Sequence, residues 1–111
     1  MLTAIPSIAG NNVHEYNALG KKTYEAGAFA AAEMFYSHAI AICLYDADIA
    51  LYLTNRAAAR LELQKFLHAE RDCSRAIGLV PMGQIPKAHY RLWLARSAQG
   101  KAKLAKARIG I

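Results

Sequence analysis

The sequence has no long apolar run, few prolines and few cysteines. Its longest apolar stretches, 26–32 and 39–45, fall far short of the ~20 residues that a membrane span requires. The start, residues 1–10, lacks both the basic region and the long apolar core of a secretory signal. These absences predict a soluble, cytoplasmic protein without a membrane segment.

Signals for catalysis are also absent. The two cysteines, Cys43 and Cys73, form no CxxC pattern and fall on the apolar faces of predicted helices, so we expect buried free thiols. There is no HExxH motif and no glycine-rich phosphate loop before a helix. The histidines are scattered, at His14, His38, His68 and His89. The sequence therefore predicts no enzyme, no metal site and no cofactor.

Charge is distributed unevenly along the chain. Up to Asp72 there are six basic and eight acidic residues, whereas from Cys73 onward there are eight basic residues and no acidic one. This asymmetry favours an acidic partner, either an acidic peptide or a phosphate backbone, and the alternative is a solvated basic helix face. A nucleic-acid partner is the weaker interpretation, because only Tyr90 and Trp93 offer large aromatic rings near these cations.

What the sequence does contain is helical periodicity. Apolar residues recur at intervals of three and four in segments that are broken by Gly27, by Gln64 and Lys65, and by Gly100. The predicted helices are 13–26, 29–44, 49–63, 66–79, 85–98 and 101–109. We expect an all-α chain of three helix–turn–helix units, with Asp46 and Asp48 in a lengthened link before the third helix.

The first two units repeat one pattern. Counting Gly20 as position 8 of its unit, positions 8, 20 and 27 are small in both units: Gly20, Ala32 and Ala39, then Ala57, Ala69 and Ala76. Small residues at fixed positions let two helices cross closely while large residues fill the space beside them. This pattern resembles the tetratricopeptide repeat (TPR), a unit of ~34 residues made of two helices. The resemblance implies a short right-handed solenoid.

The predicted domain covers residues 12–111, after a loose leader at 1–11. Its repeats lie at about 13–46, 50–83 and 86–111, and the third is truncated, with Trp93 at the close-contact position 8. Repeat arrays normally carry a polar cap at their ends. Without a full capping helix, we expect the apolar end with Ile109 and Ile111 to belong to a longer protein or to pack on a second copy.

A binding site is implied by a second resemblance. In a stacked array the first helix of each unit lines a concave groove, and Asn55, Lys87 and Arg91 fall on such helices. These three match the carboxylate clamp of the TPR co-chaperones, which bind the Glu-Glu-Val-Asp tails of Hsp90 and Hsp70. Charged donors suit a chain terminus because they form short hydrogen bonds with carboxylates. The resemblance implies an acidic C-terminal peptide as the ligand.

The first helix departs from the clamp pattern. The family has Lys followed four residues later by Asn, whereas this chain has Asn17 followed by Lys21. Because the two residues share a helix face one turn apart, the long Lys21 stem can carry its charge to the same site. We expect a peptide site formed by Asn17, Lys21, Asn55, Lys87 and Arg91.

Two alternatives remain open. The groove can bind another protein without a working clamp, or the chain can associate with a partner or with itself through its uncapped end. Arg56 and Arg60, four residues apart, either extend the positive groove or only solvate their helix.

Overall fold

The computed structural model describes residues 12–81 and 84–109. These form five helices, α1 (Val13–Glu25), α2 (Phe29–Ile42), α3 (Asp46–Glu62), α4 (Phe66–Leu79) and α5 (Pro86–Ile109), and no strand occurs in this part of the chain. The prediction of an all-α repeat fold is confirmed. None of these helices has the length and hydropathy needed to cross a membrane. The predicted leader, Ile111 and the side chain of Ile109 lie outside the described residues.

The turns that close the first two helix pairs are built alike. Gly27 (φ 81°) and Gln64 (φ 61°) both take positive φ at position 15 of their units. In each turn the next amide reaches back five residues, from Ala28 N to Thr23 O at 2.8 Å and from Lys65 N to Arg60 O at 2.8 Å. This Schellman arrangement satisfies carbonyls at the end of the first helix and reverses the chain direction.

The small residues of the repeat lie where the helices cross. Ala32, Ala39, Ala57, Ala69 and Ala76 are each 0% exposed. In the first pair, Gly20 faces the Tyr36 ring so closely that a Cβ built on Gly20 would lie 2.6 Å from Cδ1 of that ring. The space that glycine leaves is therefore taken by an aromatic ring.

The second pair packs against α5 as well as within itself. One core cluster joins Ala57, Ala69 and Cys73 to Ala95 of α5. Cys73 is buried and carries a free thiol, as expected, whereas Cys43 is only half-buried. The expectation of burial is wrong for Cys43 because α2 ends at Ile42, which leaves this residue at the helix end rather than on an apolar face.

Consecutive helices pack on each other, and α3 also contacts α1 on one side and α5 on the other. The first helices of the successive units, α1, α3 and α5, therefore stand side by side and line one face of the solenoid. We call this face the groove.

The third helix begins earlier than the sequence suggested. We expected Asp46 and Asp48 in a lengthened link, but α3 starts at Asp46 and both carboxylates lie in its first turn. Acidic side chains interact favourably with the positive end of the helix dipole. The additional residues between the repeats thus lengthen a helix, not a loop.

The break expected at Gly100 does not occur, since α5 runs without interruption from Pro86 to Ile109. Gly100 lies at position 15, like Gly27 and Gln64, yet it does not take positive φ. The flanking residues 101–107 are mostly Ala and Lys, which are strong helix formers. A chain reversal would also press the second helix against Trp93, where the earlier units have Gly20 and Ala57. Residues 86–109 are consequently one helix and not a helix pair.

Arg56 and Arg60 neither line the groove nor extend into solvent. Arg56 Nη2 donates to Asp72 Oδ1 at 2.7 Å, and Arg60 donates to Asp72 Oδ2 at 3.0 Å and to Glu33 Oε2 at 2.8 Å. The Asp72 side chain is only 5% exposed. Lys65 Nζ completes the network with a 2.9 Å bond to Glu33 Oε1. The arginines therefore tie α3 to α2 and α4, which neither sequence interpretation foresaw.

Candidate peptide-binding site

The concave face brings two predicted residues into direct contact. Asn55 of α3 donates from Nδ2 to Oδ1 of Asn17 on α1, at 3.0 Å. Both side chains are half-buried. This hydrogen bond spans neighbouring repeats and fixes one edge of the groove.

The other predicted residues surround a shared cavity. Its volume is about 160 Å³, and four of its lining residues are Lys21, Asn55, Lys87 and Arg91. They come from α1, α3 and α5, so one residue or more from each repeat contributes. The structure thus brings these four predicted residues to one cavity and connects Asn17 to it through Asn55.

Arg91 is held in place by the backbone of the neighbouring repeat. Its Nη1 donates to the carbonyl oxygen of Thr54 at 2.9 Å, and the guanidinium is half-buried. Thr54 in turn donates its hydroxyl to the Ala50 carbonyl at 2.7 Å. This hydrogen bond to α3 holds the Arg91 guanidinium in a fixed orientation. Its other N–H groups remain available to a ligand.

Lys21 and Lys87 are different, because both are exposed and neither forms an ion pair within the described part of the chain. Both also line an adjoining cavity of about 290 Å³. That second cavity has apolar walls from Leu51, Ile85 and Pro86. Two unpaired ammonium groups therefore stand where the two cavities meet.

The electrostatics of the smaller cavity are positive overall. Lys21, Lys87 and Arg91 contribute three cations, against the single carboxylate of Glu25. Glu25 follows Lys21 by four residues, so the two side chains share one face of α1. The Glu25 carboxylate there repels an incoming anion. The cavity favours an anionic ligand, and Glu25 reduces that preference.

Two aromatic side chains, Tyr24 and Tyr36, also line this cavity. Tyr36 is 3% exposed. Burial raises the pKa of Tyr36 to about 12, so its phenol is neutral at physiological pH. A neutral phenol adds no negative charge to the site.

Sequence reasoning missed several contributors to the site, among them the Thr54 carbonyl, Glu25 and Tyr36. The spacing of four residues from Lys21 was a signal for Glu25. No sequence signal marks a backbone carbonyl such as that of Thr54, and Tyr36 carried only a packing signal at position 24 of its unit.

Curated relatives of the chain are found at modest identity. It is 35% identical over 80 residues, 66% of its length, to mitochondrial import receptor subunit TOM70 of Rattus norvegicus. It is 32% identical over 100 residues, 90% of its length, to inactive TPR repeat-containing thioredoxin TTL3 of Arabidopsis thaliana. It is 33% identical over 97 residues, 81% of its length, to Hsp70/Hsp90 co-chaperone CNS1 of Saccharomyces cerevisiae.

These matches cover a small part of each relative. The chain spans 13% of the import receptor subunit, 14% of the thioredoxin protein and 25% of the co-chaperone. No protein-family model matches the chain, and no solved structure matches it significantly.

Proposed function

The chain is a tetratricopeptide-repeat domain, and we propose that it binds the acidic C-terminal tail of a chaperone, of the Glu-Glu-Val-Asp type carried by Hsp90 and Hsp70. The tail occupies the concave groove between α1, α3 and α5. In this role the chain is a co-chaperone-like adaptor of the cytoplasm that recognises its partner without catalysing a reaction. The names of the relatives, an import receptor and a co-chaperone, support a protein-binding role.

One observation supports the proposal most strongly. Lys21, Lys87 and Arg91 line one small cavity together with Asn55, and among the residues that the structure describes no carboxylate forms an ion pair with either lysine. Cations that are paired within the protein, such as Arg60, serve the fold. Unpaired cations that converge from two repeats are instead available for a carboxylate.

The ligand chemistry follows from the residue types. A C-terminal aspartate presents a main-chain and a side-chain carboxylate, and each accepts short, charge-assisted hydrogen bonds from cations. Arg91 offers a planar fork and the lysines offer mobile point charges. Asn55 already donates one N–H to Asn17, and its amide oxygen and second N–H remain for a peptide backbone group.

The lysine that binds the carboxylate lies at a different position from the lysine of the family pattern. In the family pattern a lysine occupies the place of Asn17, whereas here the cation comes from Lys21, one turn later. We propose that the exchanged order of Asn17 and Lys21 leaves peptide binding intact, because Lys21 lines the same cavity as Lys87 and Arg91.

Calorimetric titration with a peptide ending in Glu-Glu-Val-Asp tests the proposal. We expect Lys87→Ala to weaken binding by ~1.5–3 kcal/mol, the contribution of one charged hydrogen bond, and Glu25→Gln to strengthen it. Lys22→Ala is the matched control, since Lys22 is an exposed lysine of α1 that does not line the cavity. Equal effects of Lys87→Ala and Lys22→Ala would refute a specific site.

A further inference from the structure

The last helix presents a continuous face that the tail site does not use. At 3.6 residues per turn, six of its residues fall within a sector of about 100°. The face extends ~21 Å along the helix axis from its first to its last residue. We call it the α5 face, and its residues are Tyr90, Trp93, Leu94, Ser97, Lys101 and Leu104.

Large apolar side chains on this face are exposed to solvent. Tyr90, Trp93 and Leu104 are 61%, 62% and 63% exposed. The Tyr90 and Trp93 rings stack with their centroids 6.3 Å apart and their planes at 23°. Tyr90 and Trp93 thus form one exposed aromatic patch, and Leu104 lies on the same helix face about three turns further on. Exposed apolar patches of this kind are typical of docking sites.

A cavity lies beside the α5 face. It has a volume of about 290 Å³ and lies between Trp93 and Leu94 of α5 and the turn that joins α3 to α4, where Leu61 and Phe66 form the opposite wall. Lys101 stands at its border. The α5 face therefore offers both a protruding aromatic pair and a recess for an apolar side chain.

The way in which the earlier helices are covered indicates that the α5 face binds another helix. The two earlier first helices are each covered by a following helix, α1 by α2 and α3 by α4, whereas α5 has no such cover within the described residues. A straight face of about four turns is complementary to another helix. Trp93 replaces the small residue of the earlier units, so an occupant packs against its ring and does not cross as closely as α2 crosses α1.

The charges around the α5 face favour an acidic helix over a second copy of this chain. Lys87 and Arg91 lie beside one edge of the α5 face, Lys101 lies within it, and no acidic residue occurs after Asp72. A second copy of α5 would bring its own lysines against these cations, which is unfavourable. A helix with acidic flanks pairs with them instead.

We infer that the α5 face binds an amphipathic helix of a partner protein, whose apolar side chains pack on Trp93 and Leu104 and whose acidic side chains meet the flanking cations. The apolar residues of this second site do not line the tail cavity, but Lys87 and Arg91 border both sites. An acidic helix and an acidic tail therefore compete for these two cations.

The chain's one tryptophan, Trp93, reports on this face directly. The probe is a synthetic helix of about three heptads with Leu at the a and d positions and Glu at e and g. Its matched control carries Lys in place of Glu. We expect the Glu helix to shift Trp93 emission to the blue and to bind at least tenfold more tightly than the Lys helix. Added salt weakens the Glu complex.

Variants separate this site from the tail site. Leu104→Glu should weaken the Glu helix at least tenfold and leave Glu-Glu-Val-Asp binding unchanged. Lys21→Ala should do the reverse. Both positions are exposed, so neither change is expected to disturb folding, which circular dichroism verifies.

Three results would overturn the inference. Equal binding of the Glu and Lys helices would remove the charge argument. A concentration-dependent blue shift without probe, with a dimer in sedimentation, would identify a second copy as the occupant. A response of Trp93 to oligouridylate but not to the Glu helix would identify a nucleic-acid surface.

Discussion

Asn55 donates a 3.0 Å hydrogen bond to Asn17 across the boundary between the first two repeats. The bond engages the residue at which the family pattern has a lysine. Asn17 is therefore tied to Asn55, and in the proposed site the cation that the pattern places there comes one turn later, from Lys21.

The exchange gives a prediction for Lys21. Lys21→Ala should lower the affinity for a Glu-Glu-Val-Asp peptide by about 10- to 100-fold, because it removes one charged hydrogen bond. The double variant Asn17→Lys, Lys21→Asn restores the family order and should bind within about fivefold of the natural chain. Unchanged binding by Lys21→Ala in calorimetry would show that Lys21 plays no part.

Gly20 is predicted to be the least replaceable glycine of the described helices. Gly20→Ala should destabilise the domain by ~1–3 kcal/mol, because its Cβ would overlap the Tyr36 ring. Gly78→Ala is the control, since a Cβ there meets nothing within 4 Å. That change should stabilise α4 by ~0.5–1 kcal/mol. Urea unfolding measures both, and equal effects would contradict the packing.

The carboxylate of Glu33 should contribute stability that depends on pH. Burial alone raises the pKa of Glu33, but hydrogen bonds from Lys65 and Arg60 outweigh it and hold the pKa below the ordinary 4.5. A lowered folded-state pKa means that the contribution is fully present above pH 4.5 and is lost as the pH falls through the folded-state pKa. Glu33→Gln should cost ~1.5 kcal/mol at pH 7.

The measurement is denaturant unfolding of both chains between pH 7 and pH 3. The stability difference should shrink below pH 4.5. Glu15→Gln provides the control, because Glu15 is exposed and forms no ion pair in the described part of the chain, so its difference should stay near zero. A Glu33→Gln difference that does not vary with pH would contradict the ionic role.

The two thiols should react at different rates. Burial, with a smaller contribution from Asp72, raises the pKa of Cys73 to about 11, and its side chain is 0% exposed. Cys43 is half-buried at the end of α2. At pH 8 a thiol reagent should label Cys43 quickly and Cys73 only on unfolding. Equal labelling rates for the two thiols in the native chain would contradict the burial of Cys73. Fast labelling that persists in the Cys43→Ser variant would contradict it as well.

Periodicity and small-residue spacing were sufficient to predict the first two repeats, because close helix crossing leaves few choices at Gly20, Ala32 or Ala57. The same signals failed at Gly100, since a glycine marks a turn only when the chain beyond it can pack back. At Gly100 a bulky Trp93 stands at the position where the earlier units have Gly20 and Ala57, and a run of helix formers follows.

The candidate site was predictable in part. Helical spacing placed Asn55, Lys87 and Arg91 on the concave face, as the structure does. The partner of Arg56 was not predictable, because Asp72 lies on another helix and its distance depends on how α3 and α4 pack. A cation on a helix is free or paired only in the context of its neighbours.

The central claim is that the groove recognises a terminal carboxylate. The most direct test is a calorimetric comparison of one Glu-Glu-Val-Asp peptide with a free C-terminus and with an amidated C-terminus. The account predicts that amidation weakens binding at least tenfold, since it removes the anion that Lys21, Lys87 and Arg91 surround. Equal affinity of the two peptides, or no binding of either at low salt, would contradict it.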